Sequence, residues 1–403
     1  MIKRIICLLL TGVILLTAGG CAEEGRKEKL VLALRSGIYA DIIKQCLPEF
    51  EEAHGITCEL YELSENDLRS YVLNDSVLKN GSYDLCMVDG SWVAEYVDES
   101  VLADLGALGC TIDDDIIPAT AGICIQNGRT YLMPYYGNVT VMMYNSEFAE
   151  KVRGGQSFGS FEDVADFCKK ATASGKGGFV YRGDTENNVV VDFLPVLCAF
   201  GGWVVDKDNN PTVNTQEFAE ALRFYMGMIS TGRACKKEEL INGIENGEYA
   251  VAIGWPGWYD PSRHKNLDYV SIPGKVSEGE KGYNSNIYGI WTLGIPENSP
   301  NKQLACELLK YLMDPEVQKE TVHLGGVPCR YSSLRDPEIL KEEPHFEALL
   351  TALENGVYRP VMREWPRFYT SLGNMMKKII NGEEKLEEGL MLAQTELEAL
   401  VKK

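Results

Sequence analysis

Between Lys29 and Val88 the chain alternates strand-like and helix-like patterns in quick succession, and this alternation limits the fold more than any other feature. Lys29 to Leu34 (KLVLAL) is an apolar run of strand length, and Tyr39 to Ala53 carries apolar residues at helical spacing. A short strand follows at Ile56 to Leu60, then a helix opened by Ser64 with Asp67 three residues on, then a third apolar run, Tyr83 to Val88. Strand, helix, strand, helix, strand predicts an α/β fold with a parallel sheet and crossover helices. In such sheets the loops at the carboxyl ends of the strands form the binding crevice. Arg35 to Tyr39 and Asp89 to Trp92 therefore fall on crevice loops.

Further helices are predicted where a capping residue precedes apolar residues at helical spacing. Ser160 precedes Phe161, Val164, Ala165 and Cys168; Asn214, with Glu217, precedes Phe218, Ala221, Leu222, Tyr225 and Ile229; Ser299 and Pro300 precede Leu304, Leu308 and Leu312. Strands are expected at about Phe179 to Tyr181, Tyr249 to Ile253 and Tyr288 to Ile295, and a helical tail from about Phe368 to Val401 with a break at Asn381 and Gly382.

At the amino terminus Lys3 and Arg4 precede an apolar run, Ile5 to Ala18, in the order of a secretory signal. The run falls short of the roughly 20 apolar residues that span a bilayer, so residues 1–20 are expected to be removed. Ala18, Gly19 and Gly20 stand directly before Cys21, an arrangement that resembles the lipobox of bacterial lipoproteins and implies lipidation of Cys21. Residues 21–28 are polar and without periodicity, which suits a tether. Removal of residues 1–20 leaves 37 basic against 59 acidic residues, a net charge of −22. That charge, with no basic stripe, argues against nucleic-acid partners. About 380 mature residues exceed what one core serves, so two lobes are expected. The cysteines show neither CxxC nor metal-finger spacing, and several, Cys86 and Cys198 among them, sit in apolar runs as small core hydrophobes; any disulfide pairing is open at this level.

Several segments together resemble the extracellular solute-binding proteins of ABC importers, in the sugar-binding group that includes maltose-binding protein. They are Tyr83 to Leu105, Arg129 to Asn145 (RTYLMPYYGNVTVMMYN), Phe193 to Asp206, Gly247 to Tyr259 (GEYAVAIGWPGWY), Gly294 to Gln318 and the tail containing NGEEKLEEGLMLAQTELEAL. The resemblance implies a type II periplasmic-binding-protein-like fold, two α/β lobes joined by a hinge with the ligand in the interlobe cleft. It implies crossings near Gly137 to Val139, near Tyr288 and near Arg330 to Leu334, hence a first lobe of residues 29–137 plus 287–331. The second lobe would be residues 138–286 plus 332–403. It further implies a monomeric receptor that closes over a carbohydrate and delivers it to the transmembrane permease subunits, held outside the cell membrane by Cys21, with no cofactor, metal or catalytic residue.

Sugars offer flat apolar faces rimmed by hydroxyls, so aromatic platforms paired with hydrogen-bonding side chains suit them. Trp255 and Trp258 follow a strand, where the resemblance places a stacking tryptophan, and Trp203 follows Gly201 and Gly202. Ser36, Tyr39, Asp89 and Trp92 lie on the first-lobe crevice loops; Asn138 and Tyr136 lie at the hinge; Tyr288 and Tyr369 complete the candidate set. Val189, Val190 and Val191 stand where maltose-binding protein has an acidic and an aromatic residue, and the polar pair after the first strand is replaced around Gly37 and Ile38, which argues against maltose itself.

Two other readings compete. The same architecture can hold a metal, a polyamine or a small anion, but His54, His264, His323 and His345 are scattered in sequence and only Tyr135 with Tyr136 suggests a cation. A secreted glycoside-cleaving enzyme would need two carboxyl groups about 5 to 10 Å apart, and no GxSxG, HExxH or GxxxxGKS motif supports other catalysis.

Overall fold

The computed structural model describes residues 28–274 and 285–402; the signal of residues 1–20, Cys21 and residues 22–27 of the tether lie outside them. The chain enters through β1 (Lys29–Arg35), α1 (Ile38–His54), β2 (Thr57–Leu63), α2 (Glu65–Leu78) and β3 (Leu85–Asp89). After β4 (Met133–Tyr136) come β5 (Val141–Asn145), α3 (Phe161–Ala173), β6 (Gly177–Phe179) and α4 (Glu186–Ala199). The run continues through α5 (Gln216–Ile229), α6 (Lys237–Glu245), β7 (Tyr249–Gly254), β8 (Leu267–Val270), β9 (Trp291–Gly294) and α7 (Lys302–Leu312). It closes with α8 (Phe346–Glu354), α9 (Trp365–Ile380) and α10 (Leu386–Val401).

Two sheets result. The first has the order β2-β1-β3-β9-β4, with β1 parallel to β2 and β3 and with β9 antiparallel to both its neighbours. The second has the order β8-β5-β7-β6. The opening βαβαβ therefore folds as its patterning requires. α1 buries Ile42, Ile43, Leu47 and Phe50 and stops at Gly55, whose left-handed φ of 66° is open to glycine without a steric penalty. Ser64 caps α2 by accepting the Asp67 amide at 3.2 Å, and Ser160 caps α3 through Asp163.

Other expectations shift by a residue or more. Thr215, not Asn214, caps α5 through the Phe218 amide. α7 begins at Lys302 because the Ser299 hydroxyl donates to Asp84 at 2.7 Å and accepts from the Asn301 amide, so it fixes the loop and not a helix start. Cys110 and Cys306 form a disulfide that ties the loop after Leu105 to α7, while Cys86 stays a buried thiol and Cys198 a half-buried one. Val189 and Val190 are buried in the second core, where apolar side chains serve packing, and Val191 is buried beside them on the same helix.

Three segments pass between the sheets side by side. The Gly289 amide donates to the Asn138 carbonyl and the Thr140 amide to that of Ile287, each at 2.9 Å, while the Tyr288 amide reaches Val357 at 2.9 Å. The third of these segments is the one at Val357. Buried Arg330 pairs with Asp113 and Asp115, and Leu334, Ile339, Phe346 and Leu349 join a core cluster that takes in residues of both sheets. Met362, Trp365 and Phe368 begin the second core. No helix among the described residues is long and apolar enough to cross a membrane.

Candidate binding cleft

The carboxyl ends of β1, β2 and β3 present one polar edge. After β1, Arg35 donates to the Ser36 hydroxyl at 3.0 Å, yet its Nε is buried without a partner. Tyr39, at the start of α1, packs its ring on Tyr136 at 4.8 Å and on Trp291 at 5.5 Å, and burial pushes its hydroxyl up to about 12. After β2, Glu65 opens α2 half-buried, and its carboxylate makes no hydrogen bond or ion pair among the described residues. Burial first, and the charge of Asp89 next, push this carboxyl above its ordinary range, against the pull of Arg359, Arg35 and Arg182.

After β3, Asp89 is saturated by protein donors. Its Oδ1 accepts from the amide and hydroxyl of Ser91, and both its oxygens accept from Arg359 Nη2, at 2.7 and 2.9 Å. Both side chains are buried, and Arg359 Nε donates to the Tyr288 carbonyl. Asp89 thus holds an arginine from the third passage against the first sheet. Trp92 is only 3 % exposed and stands edge-on to Trp291 at 5.6 Å, so it serves as wall and not as platform. α9 touches the Gly90–Trp92 turn and carries Tyr369 to the same edge; burial, followed by the charge of Glu65, raises the Tyr369 hydroxyl to about 12.

The second sheet contributes Trp258, in the turn after β7. The Arg182 guanidinium lies over its ring at 5.1 Å, with Lys237 at 5.8 Å. Arg182 is itself held by buried Asp192 and by Asn188 at 2.9 Å. The two edges meet there: Gly257, next to Trp258, lies against the Tyr136 hydroxyl, Tyr136 packs on Tyr39, and the charge of Arg182 reaches Glu65.

The remaining candidates are taken up by packing or by protein hydrogen bonds. Tyr136 is buried and donates to the Gly325 carbonyl at 3.1 Å; Tyr288 is buried, donates to Leu353 and accepts from the Gly356 amide. Asn138 is buried in the first passage between the sheets and paired through its backbone. Trp255 lies against Gly289. Trp203 packs on the second core, its carbonyl accepting from Thr212, because the chain turns back there after α4. Ser36, Tyr39, Asp89, Trp258 and Tyr369 do come together, joined by Arg35 of the first crevice loop and by Glu65, Arg182 and Arg359, which sequence reading had not singled out. Glu65 had a usable signal: the loop after β2 ends at the same sheet edge as those after β1 and β3. Among the described residues no three His, Cys, Asp or Glu side chains converge as a metal site requires.

Comparison with known proteins adds a second line. A family model described as bacterial extracellular solute-binding protein matches residues 45–348. A protein of Sinorhizobium fredii designated a probable amino-acid ABC transporter periplasmic-binding protein is 24% identical over 338 residues, covering 78% of this chain and 75% of the relative. Two solved structures share the fold at a TM-score of 0.80. One is an ABC transporter solute-binding protein of Agrobacterium radiobacter in complex with ribitol, 21% identical, covering 93% of this chain and 98% of its own. The other is the maltose-bound MalE3 of T. maritima, 22% identical, covering 92% and 99%.

Proposed function

The chain belongs to the bacterial extracellular solute-binding proteins, and from that membership we propose that it captures a carbohydrate in the cleft between its two sheets for an ABC importer. In this reading the transmembrane permease subunits receive the solute, and lipid at Cys21 keeps the receptor, as a monomer, on the outer face of the cell membrane. One observation carries the ligand class: an aromatic ring with a clamped arginine over it, Arg182 on Trp258, belongs to the same site as the Glu65 carboxylate, which that arginine's charge reaches. A sugar or polyol needs this pairing of apolar face and hydrogen-bonding rim. The ribitol- and maltose-bound relatives point the same way.

An amino acid is the second reading, favoured by the unpartnered Glu65 carboxylate and Arg35 Nε, which suit an ammonium and a carboxylate, and by the name of the Sinorhizobium relative. A thermal-shift panel separates the two, because a ligand that binds only the native state raises its melting point. Stabilisation by ribitol, mannitol, tagatose or maltose supports the carbohydrate reading. Stabilisation by amino acids alone replaces it.

A further inference from the structure

Two glycines lie where the loop after β7 meets the rest of the molecule. A Cβ on Gly257 would run into the hydroxyl of Tyr136, at the end of β4, while the ring Cζ behind it would stand at 3.4 Å, an ordinary contact. A Cβ on Gly289, in the second passage between the sheets, would lie 2.7 Å from Cη2 and 2.8 Å from Cζ3 of Trp255. Neither glycine has a positive φ, so the requirement is close approach and not backbone freedom. Tyr136 has little room to withdraw, since Tyr39 packs on its ring at 4.8 Å and its hydroxyl is tied to the Gly325 carbonyl.

We propose that Gly257 and Gly289 are positioning residues for solute capture. They let the loop carrying Trp255 and Trp258 seat flush against Tyr136 and the crossing strands, and so set how closely the second sheet approaches the first. Trp255 is the inner half of that seat and faces Gly289, whereas Trp258 is the half left to meet a solute. A methyl at either glycine pushes the loop outward, since a packed contact cannot absorb an added carbon without displacement. The inference rests on the reading that the cleft closes on a solute, not on the solute being a sugar.

The test compares the purified protein with Gly257→Ala, Gly289→Ala, Tyr136→Phe and the double variant Tyr136→Phe/Gly257→Ala by hydrogen exchange and mass spectrometry. In the two alanine variants, peptides covering residues 255–259 should exchange at least tenfold faster while the strands of both sheets keep wild-type protection. The double variant should return the loop to the rate of Tyr136→Phe alone, because the clashing hydroxyl is gone. Unchanged loop exchange, faster exchange spread evenly over both sheets, or no restoration in the double variant would each overturn the proposal. Where ribitol, mannitol, tagatose, maltose or an amino acid stabilises the wild type, its affinity should fall at least tenfold in Gly257→Ala and recover in the double variant; equal affinity overturns it as well. Silence of every sugar goes against the carbohydrate reading, and the exchange comparison still decides this one.

Discussion

Asp89 shows how one side chain can look like a binding group and act as a clamp. Its position after a strand of a parallel sheet marks it for the crevice, and sequence reading finds it there. Arg359 is far away in sequence and lies in a segment with no strand or helix pattern, so nothing short of the fold reveals that the two are bonded. Glu65 and Arg182 escaped for related reasons: the first was absorbed into a helix start, and the second stands beside the Asp192 that hides its charge. Replacing Asp89 by Ala leaves a buried guanidinium without its counter-ion and should destabilise the fold by about 3–5 kcal/mol. A lowered urea midpoint at unchanged slope would show it; an unchanged midpoint with weakened solute binding would return Asp89 to the ligand. Glu343 allows a pH test. Burial raises its carboxyl to about 7 from the usual 4.5, so the stability it contributes is full below about pH 4.5 and is lost as pH rises through 7. Glu343→Gln, which does not ionise, should melt higher than the wild type at pH 8, with the difference vanishing near pH 5; a constant difference across that range would count against burial as the cause.

At the level of elements, the opening βαβαβ and the broken helical tail were legible because hydrophobic period and capping chemistry agree there. α9 and α10 end and begin on either side of Asn381 and Gly382, as the pattern indicates. Legibility failed where a polar residue had a tertiary partner, as with Ser299 on Asp84 and Arg330 on Asp113 and Asp115. The disulfide was equally invisible, since Cys110 and Cys306 are 196 residues apart. A cross-link over so long a loop chiefly restricts the unfolded chain, with typical stabilisation of about 2–4 kcal/mol. Paired Cys110→Ser and Cys306→Ser substitutions should therefore lower the melting temperature by several degrees, and reduction of the wild type should do the same. Equal melting of oxidised and reduced protein would mean the bond contributes nothing to stability.

For the whole molecule, the charge of −20 and the cysteine at position 21 make separate statements about place. So much negative charge gives the body no general attraction to anionic lipid, so the proposed lipid at Cys21 would be what retains it at a membrane. Cys21→Ala should move the protein from the membrane fraction to the soluble fraction on cell lysis or into the medium; retention at the membrane would refute the lipid. The strands at Asn138, Gly289 and Val357, laced to each other by backbone hydrogen bonds, bear on motion. A single connecting strand would let the two halves twist, slide and splay. Several laced edge to edge bend easily across their common plane and resist shear within it, so the halves keep close to one degree of freedom. Their encounter then resembles a door meeting its frame more than two bodies searching for a pose, and a solute arriving between them has little orientational disorder left to remove.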